Sequence, residues 1–366
     1  MVNSEMQIEQ LLLKLHDKKY CVLVGNGTTA LYLSLKCHGL NKKNVGFQDN
    51  VCPHVLLAVL LSGAKPIFLN ANKSGIGIDT GSINSKLHCI ISIHSFGIPS
   101  NIDEVESYCK NNKVLLIEDA ALGQGGVVGS KPIGSFGDLS ILSFGTGKTV
   151  DIGHGGAILT NSKRKYEKLL LLLKDLPNFK NINLNRTSRF NYLHTKYYND
   201  YFLLHKYSRL KKYFKKLIHQ YGYYFLYSFD RAYQEMLYQN IKMINQNIRI
   251  RRDNHRFLEN IFSDHNFDFI KICDGAVPWR FNLFVKNRNK ILISLLKENI
   301  KISSWYPNLG FFFDEKLGRN RTIIEDRISK NILNIWINEE IDKKYLQNIS
   351  NKIIQLSDNY SNAEYC

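Results

Sequence analysis

The sequence predicts an α/β fold: a mixed, mostly parallel sheet in a large first domain, followed by a smaller α+β domain at the C-terminus. Three observations carry this. Over the first 162 residues, apolar runs of strand length alternate with helical periodicity, the pattern of βαβ units whose sheet is covered on both faces. Of the 24 glycines, 20 precede residue 163, so that half is built from tight turns between short elements. Charge divides the chain at the same place: residues 1–162 carry 13 basic and 12 acidic side chains, residues 163–256 carry 21 and 6, and residues 257–366 carry 15 and 14. The expected divisions are therefore a large domain over 1–162, a basic helical connection over 163–256 and a small domain over 257–366.

In order, the pattern predicts a strand at 20–24, a helix at 28–37, a strand at 45–47, a helix at 54–61 and a strand at 66–69. It continues with a strand at 89–93, a helix at 101–111, and strands at 114–117, 139–144 and 157–159. From Lys163 to about Phe262 the periodicity is helical. A strand at 280–285 and helices at 290–298 and 343–356 complete the series. Ligands of such sheets bind at the carboxyl ends of strands, which directs attention to the loops that follow them.

The 366 residues suffice for about two domains. A hydrophobic share of 44% supplies a substantial core and excludes disorder, collagen and a small disulfide scaffold. Lys and Arg number 49 against 32 Asp and Glu, a formal charge of +17 that suits an anionic partner without choosing among them. The seven cysteines form no CxxC pair, so no zinc site is signalled, and a reducing cytoplasm is expected. No segment has the length to cross a bilayer, and the first 20 residues lack the apolar core of a signal peptide.

Three stretches could carry chemistry. In Val24-Gly25-Asn26-Gly27-Thr28-Thr29-Ala30-Leu31 a strand enters a Gly turn before a helix, whose free N–H groups and dipole suit a phosphate; an ordinary βα turn reads the same way. Ile117-Glu118-Asp119-Ala120-Ala121 ends a strand in two carboxylates. A buried Asp there needs a cationic partner such as Arg, a metal or a protonated ring nitrogen, unless it is a helix N-cap. Ser143–Ala157 contains Gly-Thr-Gly-Lys-Thr but is not a P-loop, because Leu142 stands where the first Gly is required and a strand follows where a helix should. What remains is Lys148 on a Gly-lined loop after a buried strand: a solvated lysine, or a desolvated one nucleophilic toward an aldehyde.

Together and in this order these segments resemble the DegT/DnrJ/EryC1/StrS family of sugar aminotransferases, over most of the chain. Val24–Leu31 is similar to the start of the family's G-T-x-A-L helix, Leu61–Phe68 to A-G-A-x-P-V-F, His94–Pro99 to H-x-Y-G-x-P and Ile117–Ala121 to I-E-D-A-A. Ser143–Ala157 matches S-F-x-x-x-K…G-x-G-G-A without a gap, with weaker echoes at Ser304–Pro307 and Leu333–Asn338.

The resemblance implies the aspartate aminotransferase-like fold type I, pyridoxal phosphate as cofactor with pyridoxamine phosphate as intermediate, and amination of a nucleotide-linked keto-sugar with glutamate as donor. It makes Lys148 the Schiff-base lysine of an internal aldimine and the acid/base of the proton transfer. Asp119 becomes the partner of the pyridine nitrogen, and Gly27, Thr28, Thr29 and Ser143 the phosphate ligands. It also implies a homodimer, in which Arg231, within Phe229-Asp230-Arg231-Ala232-Tyr233, sits where the family's N-Y-R-x-S segment reaches the neighbouring subunit's site.

The chain departs from the family at several positions. Leu122 replaces the Gln that follows D-A-A, and Gln124, two residues on, is the candidate for the ring hydroxyl. The stacking aromatic falls near Cys52-Pro53-His54, with His54 the candidate replacement and Cys52 a bland one. His154 stands at the acidic position before the double glycine, and Phe229 where the family has Asn. These changes leave a second reading, a non-catalytic or specialised paralogue recruited to a membrane or a glycan-assembly partner.

Residues 202–225 place an apolar stripe and five basic residues between 209 and 216 on one expected helix. It packs on its own domain or a partner subunit, or it lies on an anionic membrane surface at the inner face of the membrane. No nucleic-acid motif accompanies the charge.

Overall fold

The computed structural model describes residues 4–179, 188–189, 191–193, 195–196, 216, 220–310 and 322–362. Helix α1 (Ser4–His16) precedes β1 (Tyr20–Val24), α2 (Gly27–Cys37), β2 (Asn44–Gln48), α3 (Pro53–Leu61) and β3 (Lys65–Leu69). Then come β4 (Cys89–Ile93), α4 (Ile102–Asn112), β5 (Leu115–Asp119) and a small hairpin of β6 (Val127–Val128) and β7 (Lys131–Pro132). Strands β8 (Leu139–Ser143) and β9 (Gly156–Thr160) complete a seven-stranded sheet of order β1-β9-β8-β5-β4-β2-β3. Only β9 runs against its neighbours, so the sheet is mixed and mostly parallel, as the alternating pattern predicts.

Side chains alternate across the strands, and both faces are covered. Val22 and Val24 of β1 join Ala30, Leu33, Val59 and Ile117 in one buried cluster under α2 and α3. Cys21 and Leu23 of the same strand join Ile8 and Leu12 of α1 in a second cluster on the opposite face. This near-continuous apolar reading is what a sheet buried on both sides requires.

Past β9 the chain forms α5 (Lys163–Lys174), α6 (Gln234–Lys242) and α7 (Ile244–Asp264). The division expected at 256/257 falls inside α7. Ile244 and Ile248 of that helix pack on the large sheet, while Leu258 and Phe262 pack in the core of the smaller one. Most of the basic stretch 202–225 lies outside the described residues. Its C-terminal end, Gly222–Phe225, is a 3₁₀ turn rather than α-helix, and a side chain at Gly222 would meet Leu57 and Leu61 of α3 at 3.0 Å.

The smaller sheet is antiparallel, of order β10-β11-β13-β12, from β10 (Asp268–Phe269), β11 (Arg280–Phe284), β12 (Ile302–Ser303) and β13 (Ile332–Trp336). Helices α8 (Arg288–Lys297), α9 (Ile323–Asn331) and α10 (Lys343–Asn362) accompany it. An apolar junction of Phe96, Leu122, Trp279, Tyr306 and Ile332 brings this sheet against the carboxyl ends of the large sheet's strands. Among the described residues no helix is long and apolar enough to cross a membrane.

Candidate active site

Strand β5 extends two residues beyond the expected 114–117, so that Glu118 and Asp119 are its last two residues and point to opposite faces. Glu118 is fully buried. It accepts hydrogen bonds from the N–H groups of Gly134 (2.6 Å), Phe136 (2.9 Å) and Gly137 (3.0 Å) and from Ser140 Oγ (2.9 Å). His94 adds a fifth contact: Ser100 N donates to its Nδ1, which leaves the Nε2 hydrogen for Glu118 Oε1 at 3.2 Å.

Burial alone would raise the Glu118 carboxyl, but His94 and the backbone donors outweigh it and hold the group at about 2, against an ordinary 4.5. That carboxylate therefore contributes about 3 kcal/mol of stability above pH 4.5, lost progressively as pH falls toward 2. Glu118→Gln is expected to cost several kcal/mol at neutral pH, with the gap from wild type narrowing on acidification through that window; paired urea titrations at pH 7 and about pH 3 measure both. A gap that is constant with pH contradicts the assignment.

Asp119 is buried on the other face, and Oδ1 accepts from Ala121 N at 3.0 Å. Among the described residues that is its one side-chain hydrogen bond. Burial raises its carboxyl above the ordinary range, opposed by the Ala121 N–H and the charge of Lys148. Lys148 shows the mirror image, because burial lowers its amine while the Asp119 carboxylate pulls upward. The two groups thus share one poorly hydrated space, each displaced toward its neutral form.

The loop after β8 fixes the lysine. Gly147 has φ +82°, and a Cβ there would lie 3.1 Å from the Trp336 ring, so glycine is needed both for conformation and for space. Asp151 ties the loop to itself, accepting from Gly147 N (2.6 Å) and Gly153 N (2.8 Å).

Helix α2 begins beside the end of β8. Asn26 caps it through Thr29 N (2.8 Å), which leaves the N–H groups of Gly27 and Thr28 without a protein acceptor among the described residues. A Cβ on Gly27 would meet Ser143 Cβ at 3.0 Å and Oγ at 3.2 Å, so that glycine lets the turn close on the serine. Thr28 Oγ1 lies 3.1 Å from His54 Nδ1. Thr29 differs from expectation: its hydroxyl donates to Phe225 O (2.9 Å) and accepts from Tyr227 N (3.3 Å), so it anchors the 225–227 segment and offers only its place in the helix to an anion. Gln124 is also engaged elsewhere, with Nε2 donating to Ser143 O at 2.7 Å.

These residues suit pyridoxal phosphate. A buried carboxylate with one side-chain hydrogen bond can still serve a protonated ring nitrogen, a lysine lies within its electrostatic reach, and two free N–H groups with a serine hydroxyl form a cradle that a Cβ would fill. Among the described residues no cluster of three His, Cys, Asp or Glu is placed to hold a metal ion.

The sequence profile of the DegT/DnrJ/EryC1/StrS aminotransferase family matches residues 3–354. The chain belongs to that family. Its members work with pyridoxal phosphate. Among curated proteins, GDP-perosamine synthase of Escherichia coli O157:H7 is 28% identical over 177 residues, 46% of this chain and 48% of that protein. The chain thus spans about half the length of this relative. Among solved structures, Helicobacter pylori PseC, an aminotransferase of pseudoaminic acid biosynthesis, superposes with TM-score 0.76 at 16% identity, over 98% of this chain and 92% of PseC. NtdA of Bacillus subtilis, solved with bound cofactor PMP, superposes with TM-score 0.72 at 16% identity, over 98% and 78% of the two chains. At these identities the likeness establishes fold type I.

The family's pattern clarifies the departures. Leu122 fills the apolar junction with Phe96, Trp279 and Tyr306, so an apolar contact replaces a polar one there. Near the stacking position it is Cys52 that packs against the apolar junction with Tyr306, its thiol pushed up by burial and so neutral, whereas His54 turns to Thr28 and to the edge of Phe225 at 5.2 Å. His154 and Phe229, separate in sequence, are one change in space: their rings stack 5.5 Å apart at an interplanar angle of 1°. Phe179, Tyr227 and Tyr233 complete the cage, and burial lowers the imidazole against the pull of Asp230. Arg231 is exposed on the adjacent turn.

Arg280 was not anticipated. It is buried between Trp279 (3.9 Å) and Trp336 (3.8 Å), donates to Ser303 Oγ, and its charge acts on Lys148. A Trp-Arg pair opening a predicted strand is the sequence signal that could have shown it.

Proposed function

We propose that this chain is an aminotransferase that converts a nucleotide-linked keto-sugar to an amino-sugar, with glutamate as donor. The observation that carries this reading is the placement of Asp119, buried with one side-chain hydrogen bond at the carboxyl end of β5, within electrostatic reach of Lys148. Lys148 would hold the cofactor and move the proton at the substrate carbon. Asp119 would keep the ring nitrogen protonated, and the N–H groups of Gly27 and Thr28 with Ser143 Oγ would grip the phosphate. When bound, pyridoxal phosphate supplies the electron sink for the amino transfer. Gln124 would act through the Ser143 carbonyl, and Thr29 through the helix it anchors. His54 would steady Thr28 at the phosphate end.

The reading includes a homodimer, in which the exposed turn of Arg231, backed by the His154 cage, faces the neighbouring subunit's site. The name of the curated relative, GDP-perosamine synthase, favours a nucleotide sugar as acceptor. The protein loaded with pyridoxal phosphate should show a near-visible absorption band that glutamate bleaches, and should then aminate at least one of a set of GDP-, UDP- and dTDP-linked keto-hexoses, detected by mass. A protein that takes up the cofactor but is unchanged by glutamate overturns the reading.

A further inference from the structure

Helix α7 turns one face toward the loop that carries Lys148. Asn247 and Arg251, one helical turn apart, meet three consecutive carbonyls of that loop: Asn247 Nδ2 donates to Thr149 O (3.1 Å), and the Arg251 guanidinium to Lys148 O (2.9 Å) and Gly147 O (3.5 Å). Arg251 also donates to Trp279 O at 3.1 Å and pairs with Glu339 at 3.5 Å. It is among the largest fully buried side chains of the protein. A guanidinium with its rigid fork of donors can join such separate acceptors, which the point charge of a lysine cannot.

Asp151 closes this loop on itself, but the glycines at 145, 147, 153 and 155 leave its backbone less restrained than other residues would. Something outside it must set where Lys148 points, because reacting atoms tolerate little misplacement. We propose that Arg251 is the positioning residue for Lys148, holding the lysine's own carbonyl from α7 and tying it to Trp279 and Glu339 beside the smaller sheet. Any shift of that sheet on substrate binding is thereby carried to the lysine.

This inference rests on Lys148 being the cofactor lysine. The test compares full-length Arg251→Met with Arg252→Met. Arg252 also donates from α7 to carbonyls, those of Asp274 and Ala276, and among the described residues makes no hydrogen bond to the loop. Both variants lose a carbonyl clamp, so both should melt at a lower temperature. Only Arg251→Met should lower kcat, by about ten-fold or more, with KM for the keto-sugar little changed.

The second readout needs no cofactor. In the apo protein, the pH dependence of Lys148 modification by an amine-acylating reagent, followed by peptide mass, should shift toward that of a free lysine in Arg251→Met and stay at wild type in Arg252→Met. Arg251→Lys should restore at most part of the wild-type profile. If Arg251→Met fails to fold, Glu339→Gln, which removes only the ion-pair partner, should give a smaller shift in the same direction. An unchanged profile in Arg251→Met or in a folded Glu339→Gln, or equal shifts in the Arg251 and Arg252 variants, overturns the inference. Absence of the near-visible band in wild type would instead overturn the reading of Lys148 itself.

Discussion

Lys148→Ala is expected to lower activity by at least about a thousand-fold and to remove the near-visible band, while leaving a protein that melts no lower than wild type. The two halves of that result have one cause. Among the described residues the Lys148 amine makes no hydrogen bond, and burial already holds it below the ordinary lysine range. An amine held below its ordinary range costs stability at neutral pH. Removing it takes away the reactive group and a destabilising one together, as is common where an active site holds strain or uncompensated charge. Activity assays, absorption spectra and thermal melts of the apo proteins check this. A variant with wild-type turnover ends the assignment of Lys148. One that loses activity through unfolding shows that the amine supports the loop, contrary to the free amine found here.

The large domain and the placement of its candidate residues were legible because local pattern and fold agree there. The run Leu116–Asp119 declares both a buried strand and a carboxylate at its carboxyl end, and the ungapped Ser143–Ala157 segment places a lysine where strands open onto ligands. What could not be read are roles set by contacts far apart in sequence. The hydroxyl of Thr29 is spent on a segment nearly 200 residues away, which no spacing rule reveals. His154 and Phe229 look like two unrelated departures until their rings are seen to stack. Arg251 and Arg280 look like surface charge in a basic stretch and at a strand end. Only the closure of the smaller sheet on the larger one buries them beside Lys148. Cys52 gave no signal of its own, because a small thiol in place of a ring is visible only through what surrounds it.

Asp119→Asn should weaken cofactor binding by about a hundred-fold or more and reduce turnover at saturating cofactor similarly, the scale of breaking a buried ion pair from one side. The substitution preserves shape, since an asparagine oxygen can still accept from Ala121 N. It removes only the charge that would hold the ring nitrogen protonated. The apo protein should respond in the opposite sense. Burial raises the Asp119 carboxyl, so the folded state holds that proton more tightly than the unfolded chain, and wild-type stability falls as pH rises through the carboxylate range. Asp119→Asn lacks that penalty. It should therefore be the more stable apo protein at neutral pH, with the advantage vanishing on acidification. Equilibrium dialysis of pyridoxal phosphate, with urea titrations of both apo proteins at pH 7 and pH 4, measures the two effects. Tight cofactor binding by Asp119→Asn would show that Asp119 does not meet the ring nitrogen, whatever happens to stability. A loss of apo stability would show instead that the carboxylate is paired within the protein, leaving no uncompensated charge for a cofactor to satisfy.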